Sequence, residues 1–176
     1  MHLPGLGAMT LDEGSDWLCS APLPIAMLDG ALCAIALEGY QDDPHPEDFH
    51  AAIAAFLSAG PQVLQAAQGH IFAYYRDVSA RQAAAGGAVV AIASPGDLWR
   101  HIGFGDEAIV ERRDPDQRDV YLSLSCDCDW EGEHGLLIVL KNGDTVCKVG
   151  PYDGHLSNAD AYGDDSLEHV VYRSLA

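Results

Sequence analysis

From residue 120 to 131 the side chains alternate without a break. Val120, Leu122, Leu124, Cys126, Cys128 and Trp130 fall on one side. Tyr121, Ser123, Ser125, Asp127, Asp129 and Glu131 fall on the other. A period of two belongs to a β-strand, so the first set is expected to face a core and the second water. The chain then turns through Gly132-Glu133-His134-Gly135 and re-enters Leu136-Leu137-Ile138-Val139-Leu140, which is apolar on both faces. Asn142-Gly143 follows, the dipeptide that best accepts the positive φ angles of a tight hairpin. A two-residue loop sets Thr145 opposite Leu140, Val146 opposite Val139, Cys147 opposite Ile138 and Val149 opposite Leu136. The core face is then Leu136, Ile138, Leu140, Thr145, Cys147 and Val149. The other face carries Lys148 beside Leu137 and Val139, with Lys141 facing Asp144 as a cross-strand charge pair.

Strands in series need a cover for their apolar face, and the sequence upstream supplies helices. Pro46 suits the first helical position, with Glu47 and Asp48 in the positive first turn. Phe49, Ile53, Phe56 and Leu57 then share one face. Gly60-Pro61 ends that helix and opens a second, whose face is Leu64, Ala67, Ile71, Tyr74, Tyr75 and Val78. A third is expected over 94–102, with Ser94 as N-cap, Pro95 at the first position, Leu98, Trp99 and Ile102 packing, and Gly103 as its stop. Between them, residues 79–93 read as an Ala/Gly-rich linker ending in an extended run at 89–92.

Nearer the N-terminus, 17–19 suggests a short strand, and 23–28 and 31–37 read as a hairpin about Asp29-Gly30. Pro24 consigns the first of those strands to an edge. Residues 107–111 suggest another strand, and 167–175 a closing strand or helix. Residues 1–15 are Gly-rich and weakly patterned, so a flexible arm is expected there. The whole reads as a single α+β domain over 16–176: an antiparallel sheet, mostly from the C-terminal half, packed against two or three helices.

The net charge is −18, from 27 acidic and 9 basic residues. Nucleic acid is thereby disfavoured as a partner, since phosphate contacts need Lys and Arg, and a protein with a basic surface is favoured. No apolar stretch is long enough to cross a membrane. The opening Met1–Gly7 has neither a basic region nor a hydrophobic run, so no signal peptide is expected. Cys19, Cys33, Cys126, Cys128 and Cys147 make an odd, scattered set without a Cys-x-x-Cys pair. Free thiols in a cytoplasmic, reduced protein are the simplest account.

The chemistry-bearing residues crowd around the Trp130 turn. Asp127-x-Asp129-x-Glu131-Gly132 matches the start of a calcium loop, but Ile138 stands where the final glutamate belongs, and the flanks read as strands. Glu131, Glu133, His134 and His155 could serve a transition metal, yet no His pair has helical spacing. A cysteine nucleophile with His134, His155 and Asp153 lacks any local signature. Structurally, Trp130 can plug the end of the sheet with its indole N–H bonded. Glu133 can accept backbone N–H groups in the turn, His134 can bond a carboxylate across it, and Gly135 permits a bulge.

The segment Cys128-Asp129-Trp130-Glu131-Gly132-Glu133-His134-Gly135-Leu136 resembles a bacterial domain family of unknown function. Its members carry Cys-x-Trp-(Asp/Glu)-x-Glu-His-Gly-Leu, then a strand, a turn, and a strand ending in Val-Gly before an Asp. That ending is here Lys148-Val149-Gly150-Pro151-Tyr152-Asp153. The likeness covers roughly the second half of the chain. It implies a small cytoplasmic protein, and some members resemble immunity proteins of bacterial toxin systems. It carries over no catalytic activity, catalytic residue, metal or cofactor. The expected function is therefore non-enzymatic binding of a basic protein partner, as an immunity-type inhibitor, through Asp129, Trp130, Glu131, Glu133, His134, Asp153 and His155. The alternative is a metal-dependent or hydrolytic enzyme centred on Glu131, Glu133, His134 and His155.

Overall fold

A computed structural model describes residues 1–175. The fold is α+β, built on a nine-stranded, mostly antiparallel sheet. Its strands are β1 (His2–Leu3), β2 (Gly7–Leu11), β3 (Leu18–Ser20), β4 (Leu23–Ile25), β5 (Ala31–Leu37), β6 (Ile102–Arg112), β7 (Val120–Cys128), β8 (Glu131–Lys141) and β9 (Thr145–Gly150). The order is β1-β2-β3-β5-β6-β7-β8-β9, with β4 paired to β5 alongside. One joint is parallel, β5 to β6. A parallel pair cannot be closed by a tight turn. The connection here runs through α1 (Pro46–Ser58) and α2 (Gln62–Ala84), and these helices cover one face of the sheet.

The helices form where the apolar spacing places them. Phe49, Ile53 and Phe56 of α1 are buried, as are Leu64, Ile71 and Tyr74 of α2, in one cluster with Leu122, Ile138 and Leu140 of the sheet. A smaller cluster of Tyr121, Leu137, Val139 and Leu156 lies apart from it. Arg112, almost fully buried, fastens the end of β6 to the start of α1. It donates to both oxygens of Asp43 at 2.6 and 3.0 Å, and to Asp48 at 3.1 Å.

Several local expectations need correction. The supposed N-terminal arm over 1–15 contains β1 and β2, which pair with each other; β2 also pairs with β3. Its apolar residues are few, but Leu3, Leu6 and Met9 are all buried, and positive φ at Gly5 and Gly7 turns the chain between the strands. The 23–37 hairpin forms with Asp29 and Gly30 both at positive φ, yet a 3-10 turn (Ala26–Leu28) lengthens its loop. Helix α2 runs on to Ala84, because the alanines of the supposed linker are good helix formers. Residues 89–92 form no strand. The third helix is a 3-10 segment, Pro95–His101, and Gly103 lies inside β6 instead of stopping a helix. Ser94 donates its hydroxyl to Asp97 and caps no backbone N–H. Among the described residues the tail carries only α3 (Asn158–Tyr162) and a 3-10 turn at Asp165–Leu167; residues 168–175 are irregular.

The last hairpin differs by one residue. Its loop has three residues, so Thr145 faces Lys141 and Val146 faces Leu140. A bulge follows, and Lys148 faces Val139 while Val149 faces Ile138. Cys147, the extra residue of the bulge, consequently packs with the smaller cluster; Lys148 keeps the Leu137 and Val139 face and is buried there. Lys141 pairs with Asp119 at 2.7 Å instead of Asp144. The turn is held by its contacts: a Cβ on Gly143 (φ +93°) would sit 2.0 Å from the Ala52 carbonyl oxygen of α1. Asn142 meanwhile bonds Val120 through both backbone and side chain.

Candidate functional site

The segment between Trp130 and Leu136 is a wide bulge in the β7–β8 hairpin. Cys128 pairs with Glu131 and Cys126 with Leu136, so four residues of β8, 132–135, stand against Asp127 alone. Gly135 makes this possible. Its φ is +60°, and a Cβ there would lie 2.5 Å from the Cys126 carbonyl oxygen. Glu131, not Glu133, takes the turn's backbone donors: its Oε1 accepts from the N–H groups of Glu133 at 2.9 Å and His134 at 3.3 Å. His134 Nδ1 stands 3.9 Å from the same oxygen, an ion-pair distance too long for a hydrogen bond.

Neighbouring elements pin the bulge from three sides. Tyr74 on α2 donates its hydroxyl to the Gly135 carbonyl at 2.9 Å. Gln82 on α2 donates to the Trp130 carbonyl at 2.8 Å. Tyr152 donates its N–H to the His134 carbonyl at 3.1 Å. Beneath, Trp130 is 1% exposed and meets Tyr74 and Tyr75 edge-on, with centroids 6.3 and 5.8 Å away. Trp130 is thus a core plug and presents no binding surface. Its indole N–H, expected to be bonded, has no hydrogen-bond partner among the described residues. Asp129 is exposed and tied sideways, its Oδ2 2.9 Å from His101 Nδ1.

Two clefts flank the bulge. One, of about 620 Å³, is lined by Asp127, Glu131, Glu133, His134 and Tyr152 among others, with Gly105 of β6 opposite. The second, of about 510 Å³, shares Glu131, His134 and Tyr152 and adds Asp153, Arg81 and Tyr162. His155 lines neither. It borders a third cleft near Arg113 and Asp114. The structure therefore gathers Glu131, Glu133, His134 and, on the far side, Asp153, and it leaves Asp129, Trp130 and His155 outside. Asp153 is the counter-ion of the buried Lys148, which also donates to the His155 carbonyl at 2.9 Å. Desolvation pulls the Lys148 ammonium below its usual pKa, and the Asp153 contact opposes that shift.

Cysteine chemistry has no support here. All five thiols are free. Burial pushes Cys126, Cys128 and Cys147 up to about 12 and Cys33 to about 11, with nearby carboxylates and thiols adding to the effect at Cys126 and Cys33. At neutral pH these thiols keep their protons, and a protonated thiol is a poor nucleophile. Among the described residues no three His, Cys, Asp or Glu side chains converge as a metal would require. Asp127, Asp129 and Glu131, the calcium-loop candidates, diverge: one to solvent, one to His101 and one to the bulge amides. Tyr152, about half exposed on the rim of both clefts, is a candidate contact that alternation did not reveal. Its only sequence signal is its place between Pro151 and Asp153.

Among the described residues, no helix is long and apolar enough to cross a membrane. Comparison with curated proteins and with solved structures finds no match. The family model described as a domain of unknown function (DUF6985) matches residues 5–156, a span holding every strand but the two-residue first one, both long helices and the bulge, and the chain belongs to that family.

Proposed function

We propose that this chain is a non-enzymatic binding protein, an immunity-type inhibitor that holds a basic segment of a protein toxin against the cleft beside the β7–β8 bulge. One observation carries the reading. The 620 Å³ cleft is lined by carboxylates and contains no Lys or Arg. Two of those carboxylates, Asp127 and Glu133, are exposed and make no ion pair among the described residues. Unpaired rim carboxylates on a chain of charge −18 steer a basic partner and suit a Lys or Arg contact. Tyr152 at the same rim adds an aromatic face for such a cation. The protonated thiols and the placement of His155 in another cleft support binding over nucleophilic catalysis. Five free thiols suit a cytoplasmic working place.

The test is binding to the purified product of the neighbouring gene, followed across salt concentrations. The expected result is an association rate that falls steeply as salt rises, and a loss of about tenfold or more in affinity for Asp127→Lys/Glu133→Lys. Salt-independent association, or full affinity in the charge-reversed variant, would refute the reading.

A further inference from the structure

The sheet forks beside this cleft. Strands β5 and β6 pair in parallel only from Ala34↔Glu107 to Leu37↔Val110. Towards one end of this joint they separate. Ala31 to Cys33 pair with β4 alone, and Ile102 to Phe104 pair with β7 alone. The separation is built by a register shift in β6 between Phe104 and Ala108. Gly105 sits in that shift, where a Cβ would come within 2.7 Å of the Ser125 carbonyl oxygen. The outer edge of β6 over residues 102–106 therefore has no strand beside it among the described residues, and Gly103, Gly105, Asp106 and Glu107 are exposed.

The two ends of the sheet are managed differently. At one end, β1 is only two residues long. At the other, β9 is partly covered by the tail, whose Val171 carbonyl accepts from the Val149 N–H at 2.7 Å. The β6 edge has no such cover. It carries two adjacent acids, Asp106 and Glu107, with Asp127 directly across from Gly103 on the next strand. On the β5 side of the fork stands Leu32, an apolar side chain 63% exposed. A second copy of this chain is a poor occupant, because strand pairing would bring like charges together on a molecule already at −18. An extended segment with alternating basic and apolar side chains is complementary to the acids, the apolar contact and the unpaired backbone together.

We infer that the free edge of β6, residues 102–106, accepts an extended basic segment of the partner as an added strand, its cations meeting Asp106, the neighbouring Glu107 and Asp127. This rests on the reading above that the partner is basic, and it adds the mode of recognition. Main-chain hydrogen bonds then give affinity, and the acids give the preference for cations.

The experiment uses a ten-residue peptide of alternating Lys and Val, and the same peptide N-methylated at alternate amides. The second keeps every charge but cannot complete a ladder. Affinity is read by fluorescence anisotropy at low salt, and amide hydrogen exchange locates the site. Strand addition predicts binding of the first peptide, affinity about tenfold or more lower for the second, and slowed exchange over residues 102–106. It also predicts a loss of similar size for Asp106→Lys/Glu107→Lys, with unchanged thermal unfolding because both side chains are exposed. Equal affinity for the two peptides would overturn strand addition and leave electrostatic binding standing. Protection confined to β9 or to the tail would also overturn it. No binding of either peptide would overturn strand addition and the basic-partner reading together.

Discussion

Gly135 is the residue on which the bulge depends. Two separate demands meet there, a left-handed backbone and a carbonyl pressed against the Cα. An alanine in the left-handed region costs about 1–2 kcal/mol, before its collision with the Cys126 carbonyl is counted. Gly132, three residues earlier, has ordinary φ and open space around it. Gly135→Ala is therefore expected to lower the thermal midpoint by about 5 °C or more, and Gly132→Ala by less than about 2 °C. Differential scanning calorimetry of both variants checks this. Equal shifts would mean that the bulge relaxes freely and that Gly135 is not its keystone. The motif's glycine is in this sense legible from the sequence, which marks it as a bulge position. The glutamate is not: alternation cannot say which of Glu131 and Glu133 turns back to the amides, because the bulge itself breaks the alternation.

At the scale of elements, the sequence identified strands and helices well where periodicity ran long, and failed where one extra residue intervened. Helix α1 starts at Pro46 as its spacing requires, and β7 runs from Val120 to Cys128, but burial alternates only from Leu124 on. Tyr121 and Ser123, expected to face water, are buried, Tyr121 in a cluster with Leu156 of the tail. The β8–β9 pairing went astray because a three-residue loop and a bulge near Cys147 each shift the facing residues by one, and neither carries a local signature. Lys148 shows a different gap. It lies on the Leu137 and Val139 face as expected, but residues 153–156 cover that face, and the lysine is 1% exposed and paired with Asp153. Removing one partner of a buried pair leaves the other charge unbalanced and costs about 3–5 kcal/mol, whereas replacing both with apolar or neutral groups is often close to neutral. Asp153→Asn is thus expected to destabilise by about 3 kcal/mol in urea unfolding, at the low end because Asp153 is partly exposed, and Lys148→Met/Asp153→Asn to recover most of that loss. A double variant no better than the single would show that Asp153 acts by shaping the 151–155 loop, through the N–H of His155 it accepts at 3.0 Å, and not as a counter-ion.

A second element-scale effect lies at the other end of the β5–β6 joint. Glu111 lines a cleft of about 300 Å³ with Glu38, and burial first, then the Glu38 charge, push its carboxyl up to about 7. A carboxyl raised above its unfolded value of 4.5 binds its proton more tightly when folded. Its contribution to stability is therefore full below 4.5 and is lost as pH climbs through about 7. Glu111→Gln removes that loss. It is expected to stabilise by about 1–2 kcal/mol at pH 8, after discounting for partial exposure of the group, and by almost nothing at pH 4. Chemical denaturation at the two pH values measures the difference, and a gain of equal size at both would assign the effect to packing.

The whole molecule sets local ion pairs against a global excess of one sign. Arg112, Arg113, Arg118, Lys141 and Lys148 are each committed to carboxylates: Asp43 and Asp48, Asp160 and Glu168, Glu47 and Asp48, Asp119, and Asp153 in turn. With 27 acids against 9 bases, most carboxylates still have no cation to meet. Surface pairs are each worth about 1 kcal/mol or less, and salt weakens them; salt also screens the repulsion among the remaining carboxylates. The two effects oppose each other, and the numbers decide between them. The pairs with Arg112 and Lys148 are buried on the cation side, where ions in solution screen poorly. The uncompensated carboxylates are mostly exposed, where screening is strong, with a Debye length of about 10 Å at 0.1 M falling to about 3 Å at 1 M. Salt is therefore expected to stabilise this fold, raising the thermal midpoint by several degrees between about 10 and 300 mM sodium chloride, while slowing association with any basic partner over the same range. The opposite signs of the two responses are the diagnostic feature. A midpoint that fell with salt would mean that the fold leans on exposed ion pairs and that its acidic exterior carries little internal strain. In that case the excess of carboxylates would no longer register as a stability cost that a basic partner relieves on binding.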